Sequence, residues 1–215
     1  MPELAAVRRA RWPERVALRD GSEVAVRPIR ATDKARLRAG FERLSAQSRQ
    51  RRFLVAMPRL SPRLVRYLTE VDHHDHEALV AVGVDDDEPI GVARYVRSED
   101  DAQAAEVAVA VADHWHGRGV ATELLRRLAQ RAREEGIARF TATCLADNDE
   151  ALELFEELGA TRVTRPGSGL VEAQVELSAA DDHRLSAVLR AAAARRLMLR
   201  PLVPPQDDDA GAGDR

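Results

Sequence analysis

The stretch that most restricts how this chain can fold runs from Glu106 to Glu135. An apolar strand, Glu106–Val111, leads into the glycine-rich His116-Gly117-Arg118-Gly119. An amphipathic helix follows, with Leu124, Leu125, Leu128 and Ala132 at helical spacing and Gly136 as its stop. Glycines between a strand and a helix allow tight curvature and close approach of a ligand. The first helical turn leaves backbone N–H groups without partners, and the helix dipole favours an anion there. Arg118 adds positive charge. The unit predicts a phosphate cradle; the competing reading is a tight strand-to-helix turn with no ligand. It matches neither common nucleotide loop. It lacks the Gly-Lys-Ser/Thr ending and the three-glycine dinucleotide fingerprint.

The rest of the chain supplies elements around this unit. Val24–Ile29 follows the turn-like Asp20-Gly21-Ser22 and reads as a strand. Thr32 is expected as the N-cap of a helix carrying Leu37, Phe41 and Leu44 on one face. Ser45–Val55 is a second short helix, and Ser61-Pro62 opens a third with Leu64, Val65 and Leu68 turned inward. Ala78–Val84 and Ile90–Val96 are strands of a hairpin closed by Asp85-Asp86-Asp87-Glu88-Pro89. Beyond Gly136, Phe140–Leu145 is a strand, Asn148–Leu158 a helix, and Thr161–Arg165 and Leu170–Leu177 are two closing strands. This order specifies a mixed α/β layer with one sheet.

With 215 residues, 45% of them hydrophobic, one good-sized domain with extensions is expected. Residues 1–15 are expected as an N-terminal extension, 16–178 as the domain, 179–200 as an added helix, and 201–215 as a disordered tail rich in Pro, Gly and Asp. The added helix carries Leu185, Val188, Leu189 and Ala192 on one side, a face for packing on the domain or on a second copy in a homodimer. That face is mostly alanine, which disfavours a membrane surface. The net charge of -3 argues against a dedicated nucleic-acid binder. The arginine-bearing N-terminus has no apolar stretch of a secretory signal, and no run reaches the roughly 20 apolar residues of a membrane span. Cys144 is the only cysteine, so no internal disulfide forms and a cytoplasmic setting is expected. Lys34–Arg66 is strongly basic and Thr69–Asp113 strongly acidic. That asymmetry is expected to give two solvated faces that partly complement each other, rather than a steering cleft.

The loop resembles the coenzyme A loop of the GNAT superfamily, Gln/Arg-x-x-Gly-x-Gly/Ala. His116 stands at its first position, Gly119 at its fourth and Ala121 at its sixth. His116 departs from Gln/Arg, but an imidazole also donates a hydrogen bond. Asn148, followed by Ala151, is similar to the family's cofactor-contacting Asn, and Leu158-Gly159-Ala160 to its Leu-Gly-Phe ending, with Ala160 in place of Phe. Leu18-Arg19-Asp20-Gly21-Ser22, Val26-Arg27-Pro28-Ile29-Arg30, Leu44-Ser45 with Ser48-Arg49, Val71-Asp72 and Ala105-Glu106 resemble the GNAT domain of bacterial Pat-type protein lysine acetyltransferases. The resemblance covers roughly Val24–Leu177. It implies a GNAT fold, a mixed and mostly antiparallel central sheet flanked by helices, here with an extra C-terminal helix. It implies acetyl-CoA as cosubstrate. The backbone of Val109 and Val111 is then expected to pair with its pantetheine arm. His116, Gly117, Arg118, Gly119, Val120, Ala121 and Thr122 would hold its pyrophosphate, with Asn148 as a further contact. The acceptor it implies is a protein lysine; a small amine or amino acid is the alternative, because fold and loop do not determine the acceptor. A CoA-binding sensor without turnover is a third reading.

Transfer to an amine needs a neutral nitrogen, so a group must take its proton. The Pat-type resemblance puts the general base at Glu106, the one charge in an otherwise apolar strand. The tyrosine that the superfamily often uses as general acid would fall at Phe155, which has no proton to give. His73-His74-Asp75-His76 is metal-like in composition, yet neighbouring side chains of an extended segment point to opposite faces, so no metal site is expected and the run is read as a polar rim. Cys144 is expected to be a small core residue.

Lys34 is the only lysine of the chain. If a Pat-type enzyme acetylates itself, internal modification is confined to Lys34. Intact-mass analysis after incubation with acetyl-CoA is expected to show at most one stable internal acetyl group. Two or more would implicate Cys144 or a hydroxyl.

Overall fold

Eight strands form one sheet in the order β1-β2-β3-β4-β5-β6-β8-β7. They are β1 (Glu14–Ala17), β2 (Glu23–Pro28), β3 (His76–Gly83), β4 (Pro89–Arg97), β5 (Ala104–Val111), β6 (Arg139–Leu145), β7 (Thr161–Thr164) and β8 (Leu170–Glu176). Among the described residues four helices accompany them: α1 (Lys34–Arg43), α2 (Ala46–Phe53), α3 (Pro62–Thr69) and α4 (Val120–Glu134). The computed structural model describes residues 12–177, apart from Glu150, Glu153, 155–160, Pro166 and Ser168. Phe155, the Leu158-Gly159-Ala160 ending, the expected C-terminal helix and the tail lie outside the described residues.

Each strand pairs antiparallel with its neighbour except β5 and β6, which run parallel. A parallel pair needs a crossover, and α4 is that connection. β5 shows why the two faces of the sheet differ. Its Val107, Val109 and Val111 are buried with Leu124, Leu125 and Leu128 of α4 in the main core. Each such buried side chain contributes on the order of 1.5–3 kcal/mol. On the opposite face β5 offers Ala104, Glu106, Ala108 and Ala110. There α1, α2 and α3 gather around their own apolar cluster of Phe41, Phe53, Leu60, Leu64, Val65 and Leu68.

α2 and α3 start where expected, each capped by a serine: Ser45 Oγ accepts from Ser48 N at 3.1 Å, and Ser61 Oγ from Leu64 N at 3.1 Å. Thr32 does not cap α1. It lies in a 3-10 turn, Ala31–Asp33, and the helix starts at Lys34. The reason is Asp33, whose carboxylate accepts two bonds from the Arg27 guanidinium, at 2.7 and 2.9 Å, and one from Arg30 N at 2.8 Å. This buried pair joins the end of β2 to the start of α1. β1 is a strand that sequence patterning did not reveal, because only Val16 of its four residues is buried. Long-range bonds hold it. Glu14 takes Arg127 of α4 in a two-pronged contact, at 2.7 and 3.0 Å.

The uneven charge is largely self-complementary. Arg36 pairs with Asp87 at 2.5 Å, Arg43 with Glu88 at 3.2 Å, and Lys34 with Glu70. Basic α1 is thereby laced to the acidic β3–β4 turn. Exposed pairs of this kind contribute little to stability, because water and salt screen them.

The Arg27–Asp33 pair is different, since both partners are buried. Burial by itself raises the Asp33 pKa, but the bonds from Arg27 and Arg30 N outweigh it and hold the carboxyl below 3.8. A lowered carboxyl pKa stabilises the fold above its unfolded value and loses that contribution as pH falls through the folded value. Asp33→Ala leaves the buried Arg27 guanidinium only Pro28 O and the more distant Asp87, and is expected to cost about 3 kcal/mol at pH 7. Thermal melts of both proteins should show the gap narrowing as pH is taken below 3.8.

Candidate active site

β5 and β6 are joined only at Ala104↔Arg139, Ala105↔Phe140 and Glu106↔Thr141. Both strands continue, to Val111 and Leu145, without pairing again. The ladder to β4 decides which way the β5 backbone faces. Ser98 N donates to Ala104 O at 2.9 Å and Ala112 N to Ile90 O at 2.8 Å. Even-numbered residues of β5 therefore bond to β4, and odd-numbered ones turn N–H and C=O towards β6. Past Glu106 that means Val107, Val109 and Val111 face a widening gap. Backbone groups held out of water in this way call for hydrogen-bonding partners, and an extended ligand with amides can supply them.

At the open end of the gap stands the glycine loop. Gly117 and Gly119 have φ of 75° and 90°, in the left-handed region that favours glycine. The first helical bond of α4 runs from Glu123 N to Gly119 O at 3.0 Å. The N–H groups of Val120, Ala121 and Thr122 precede it and have no acceptor within the helix. They converge with the dipole on the loop mouth, a ready anion site. Arg118 lies over the Trp115 ring, 4.7 Å from its centroid, and pairs with Asp20 at 3.3 Å. His116 is turned inward. Its Nε2 donates to Val111 O at 2.9 Å, which closes off the last carbonyl of β5 and leaves the cradle to backbone amides. Asn148 is buried just after β6, with its N–H donated to Leu145 O at 3.0 Å, and opens a helical turn on the far side of the gap.

Glu106 sits where the strands part. The apolar surroundings expected for it are not what the structure shows. It shares its sheet face with Arg94 of β4, which pairs in register with Ala108 of β5. Arg94 is buried, donating to Leu68 O and His76 Nε2 at 3.0 Å each. Burial pushes its pKa down to about 9, and nearby Arg52 pushes it the same way. Arg52 of α2 is also buried. Burial brings its pKa down to about 10, against the upward pull of the Glu106 carboxylate. Tyr67 of α3, half-buried, is within electrostatic reach of Glu106, Arg94 and Arg52. These groups were missed because their residue types are unremarkable one by one. The signal that could have found them is Arg94 in the middle of an otherwise apolar strand. Beside them, Phe41, Phe53, Leu60, Val80, Val92 and Ala110 line an apolar pocket under α1–α3, with Arg52 and Arg94 also in its wall.

The three rim histidines do not converge. His73 contacts Glu77 at 2.8 Å, His74 contacts Glu135, and His76 receives Arg94 and lies tilted against Tyr67, ring centroids 4.9 Å apart. Burial and Arg94 press the His76 pKa down to about 3, so it is neutral. Among the described residues no group of three His, Cys, Asp or Glu could hold a metal ion. Cys144 is buried on β6, its thiol pushed up to about 11 by burial, and is no nucleophile near neutrality. Among the described residues no helix is long and apolar enough to cross a membrane.

Comparison with known proteins agrees with this geometry. The model of the Acetyltransferase (GNAT) family matches residues 33–160. An acetyltransferase of Pseudomonas aeruginosa is 34% identical over 157 residues, covering 72% of this chain and 83% of that protein. The acetyltransferase Pat of Mycolicibacterium smegmatis is 33% identical over 169 residues, which are 79% of this chain but 50% of Pat. Among solved structures, the GNAT domain of S. lividans PAT superposes with a TM-score of 0.71 at 36% identity, covering 78% of this chain and 98% of that one.

Proposed function

Since the chain belongs to the GNAT acetyltransferase family, we propose that it moves the acetyl group of acetyl-CoA to a primary amine, with a protein lysine as acceptor and Glu106 as general base. The observation that carries this is the parting of β5 from β6 at Glu106, with the glycine loop at the open end of the same gap. A long ligand carrying amides in its middle and phosphates at one end fits that sequence of surfaces. The donor supplies an acetyl group activated as a thioester.

The residues then divide the work. Val109, with Val107 in place of the expected Val111, whose carbonyl His116 takes, presents N–H and C=O groups to the amides of the pantetheine arm, as a neighbouring strand does. Gly117 and Gly119 keep side chains off the loop, so the amides of Val120, Ala121 and Thr122 reach the pyrophosphate. Asn148 bounds the other wall. Glu106, at the closed end, takes the proton of the incoming ammonium directly or through one water. Arg52 and Arg94 hold positive charge on its face of the sheet, which orients that carboxylate. The likeness to Pat supports a protein lysine.

A second reading, a small amino acid with an apolar side chain, is favoured by one observation. The pocket under α1–α3 is apolar yet, besides the Arg27–Asp33 pair, has the buried guanidinium groups of Arg52 and Arg94 in its wall, the environment of a carboxylate on an apolar body. Mass spectrometry of acetylated lysines in a treated lysate, run beside a CoA-release assay on amino acids, separates the two. Release with amino acids and no new acetyl-lysine would overturn the first reading. Acetyl-CoA binding with release under neither condition would support a sensor without turnover.

Two variants test the site itself. Gly119→Glu puts a side chain and a negative charge at a φ of 90°, and is expected to weaken acetyl-CoA binding at least about tenfold. Unchanged affinity by calorimetry would remove the loop from the site. Glu106→Gln is expected to lower turnover about a hundredfold with donor affinity nearly unchanged, the usual range for a lost general base. The deficit should shrink as pH rises, because more of the amine is already neutral. Near-wild-type turnover at neutral pH with chemistry rate-limiting would assign the base elsewhere.

A further inference from the structure

Leu18-Arg19-Asp20-Gly21-Ser22 stands far from the glycine loop in sequence and against it in space. The turn is tightly made. Leu18 N donates to Ser22 O at 2.8 Å, Gly21 N to Leu18 O at 3.1 Å, and Ser22 N to Asp20 Oδ1 at 3.0 Å. Gly21, at φ 82°, takes the left-handed position that the turn requires. Leu18 and Val16 are buried in the main core, and the Glu14–Arg127 contact ties β1 to the flank of α4. The turn is therefore held in position from both ends.

Two of its side chains reach the loop. Asp20 pairs with Arg118, which also lies on Trp115, so the loop's own arginine is partly neutralised and stacked. Arg19 points over the loop. Its Nε lies 3.8 Å and its Cγ 4.0 Å from where a β-carbon on Gly119 would stand. The missing side chain at 119 thus leaves a space bounded by a guanidinium on one side and the first amides of α4 on the other. An arginine facing backbone amides is an arrangement for a phosphate, since its fork of donors matches phosphate oxygens and its charge adds to the helix dipole.

We propose that Arg19 binds a phosphate of acetyl-CoA. The inference rests on the donor assignment above and adds a residue from the β1–β2 turn to the cradle. Acetyl-CoA offers two sources of that chemistry, the pyrophosphate and the 3′-phosphate of its ribose. Arg118, paired with Asp20 and lying on Trp115, contributes shape more than charge, and Arg19 supplies a further cation.

The test uses the whole chain, wild type, Arg19→Ala and Arg19→Lys, with three donors: acetyl-CoA, its 3′-dephospho form, and acetyl-pantetheine, which has no phosphate. Arg19→Ala is expected to raise the Kd and KM for acetyl-CoA about tenfold, the range of one charge-assisted bond at a partly exposed site. Turnover at saturating donor and the melting temperature should stay unchanged, Arg19→Lys should recover part of the loss, and acetyl-pantetheine should show no difference between the proteins. A loss that persists with the dephospho donor identifies the pyrophosphate as the partner; a loss that disappears identifies the 3′-phosphate. Wild-type affinity of Arg19→Ala for both nucleotide donors overturns the proposal, as does an equal loss with acetyl-pantetheine. A wild-type protein that binds neither nucleotide donor overturns the donor assignment itself, so the two failures are distinct.

Discussion

Everything at the candidate site depends on a ladder of backbone hydrogen bonds that stops. β5 is paired along its length with β4, but with β6 it shares only the register from Ala104 to Glu106. β6 continues fully paired with β8 on its other side. The sheet is therefore two ladders, β1–β5 and β6–β8–β7, joined at three residue pairs and open beyond them. Peptide groups that face each other too far apart to bond remain a standing demand for a ligand with amides. A fully zipped sheet would be satisfied and would have nowhere to put one.

The side chains of β5 fit it to that position. Its valines lock one face to α4, so the strand does not bend back towards β6 to satisfy itself. Its alanines leave depth on the other face, where the helical layer closes over a pocket instead of packing flat. Glu106 interrupts the alanine side at the closed end of the gap. Its carboxylate has positive charge close by, since Arg52 and Arg94 are buried in the same layer. The same alternation thus gives the strand one packed face and one recessed face.

The open end is built by convergence. β1 is a short edge strand, with little burial of its own beyond Val16. Its contact with Arg127 and the core position of Leu18 bring the following turn to the loop before α4. The helix N-terminus is an anion site on general grounds, and the turn adds a guanidinium that the helix lacks.

Much of this was legible in the residues themselves. The glycine loop, α4 with its stop at Gly136, the β3–β4 hairpin, and the starts of α2 and α3 follow from spacing over a few positions, because helix and strand periodicity is a property of near neighbours. Thr32 was misjudged as a cap for lack of a distant fact, the Arg27 guanidinium that captures Asp33. β1 was missed for the same kind of reason, since Glu14 is held by a residue on α4. The surroundings of Glu106 were misjudged too, because Arg52 and Arg94 reach its face only when α2 and β4 are laid beside β5. By itself the sequence determined the local elements, the loop and the family of the fold. Tertiary structure alone decided where β5 and β6 part, which buried arginines surround the carboxylate, and that Arg19 hangs over Gly119. Those depend on hydrogen bonds and charges meeting across the chain, and an electrostatic or backbone contact between distant residues leaves no periodic trace in either segment.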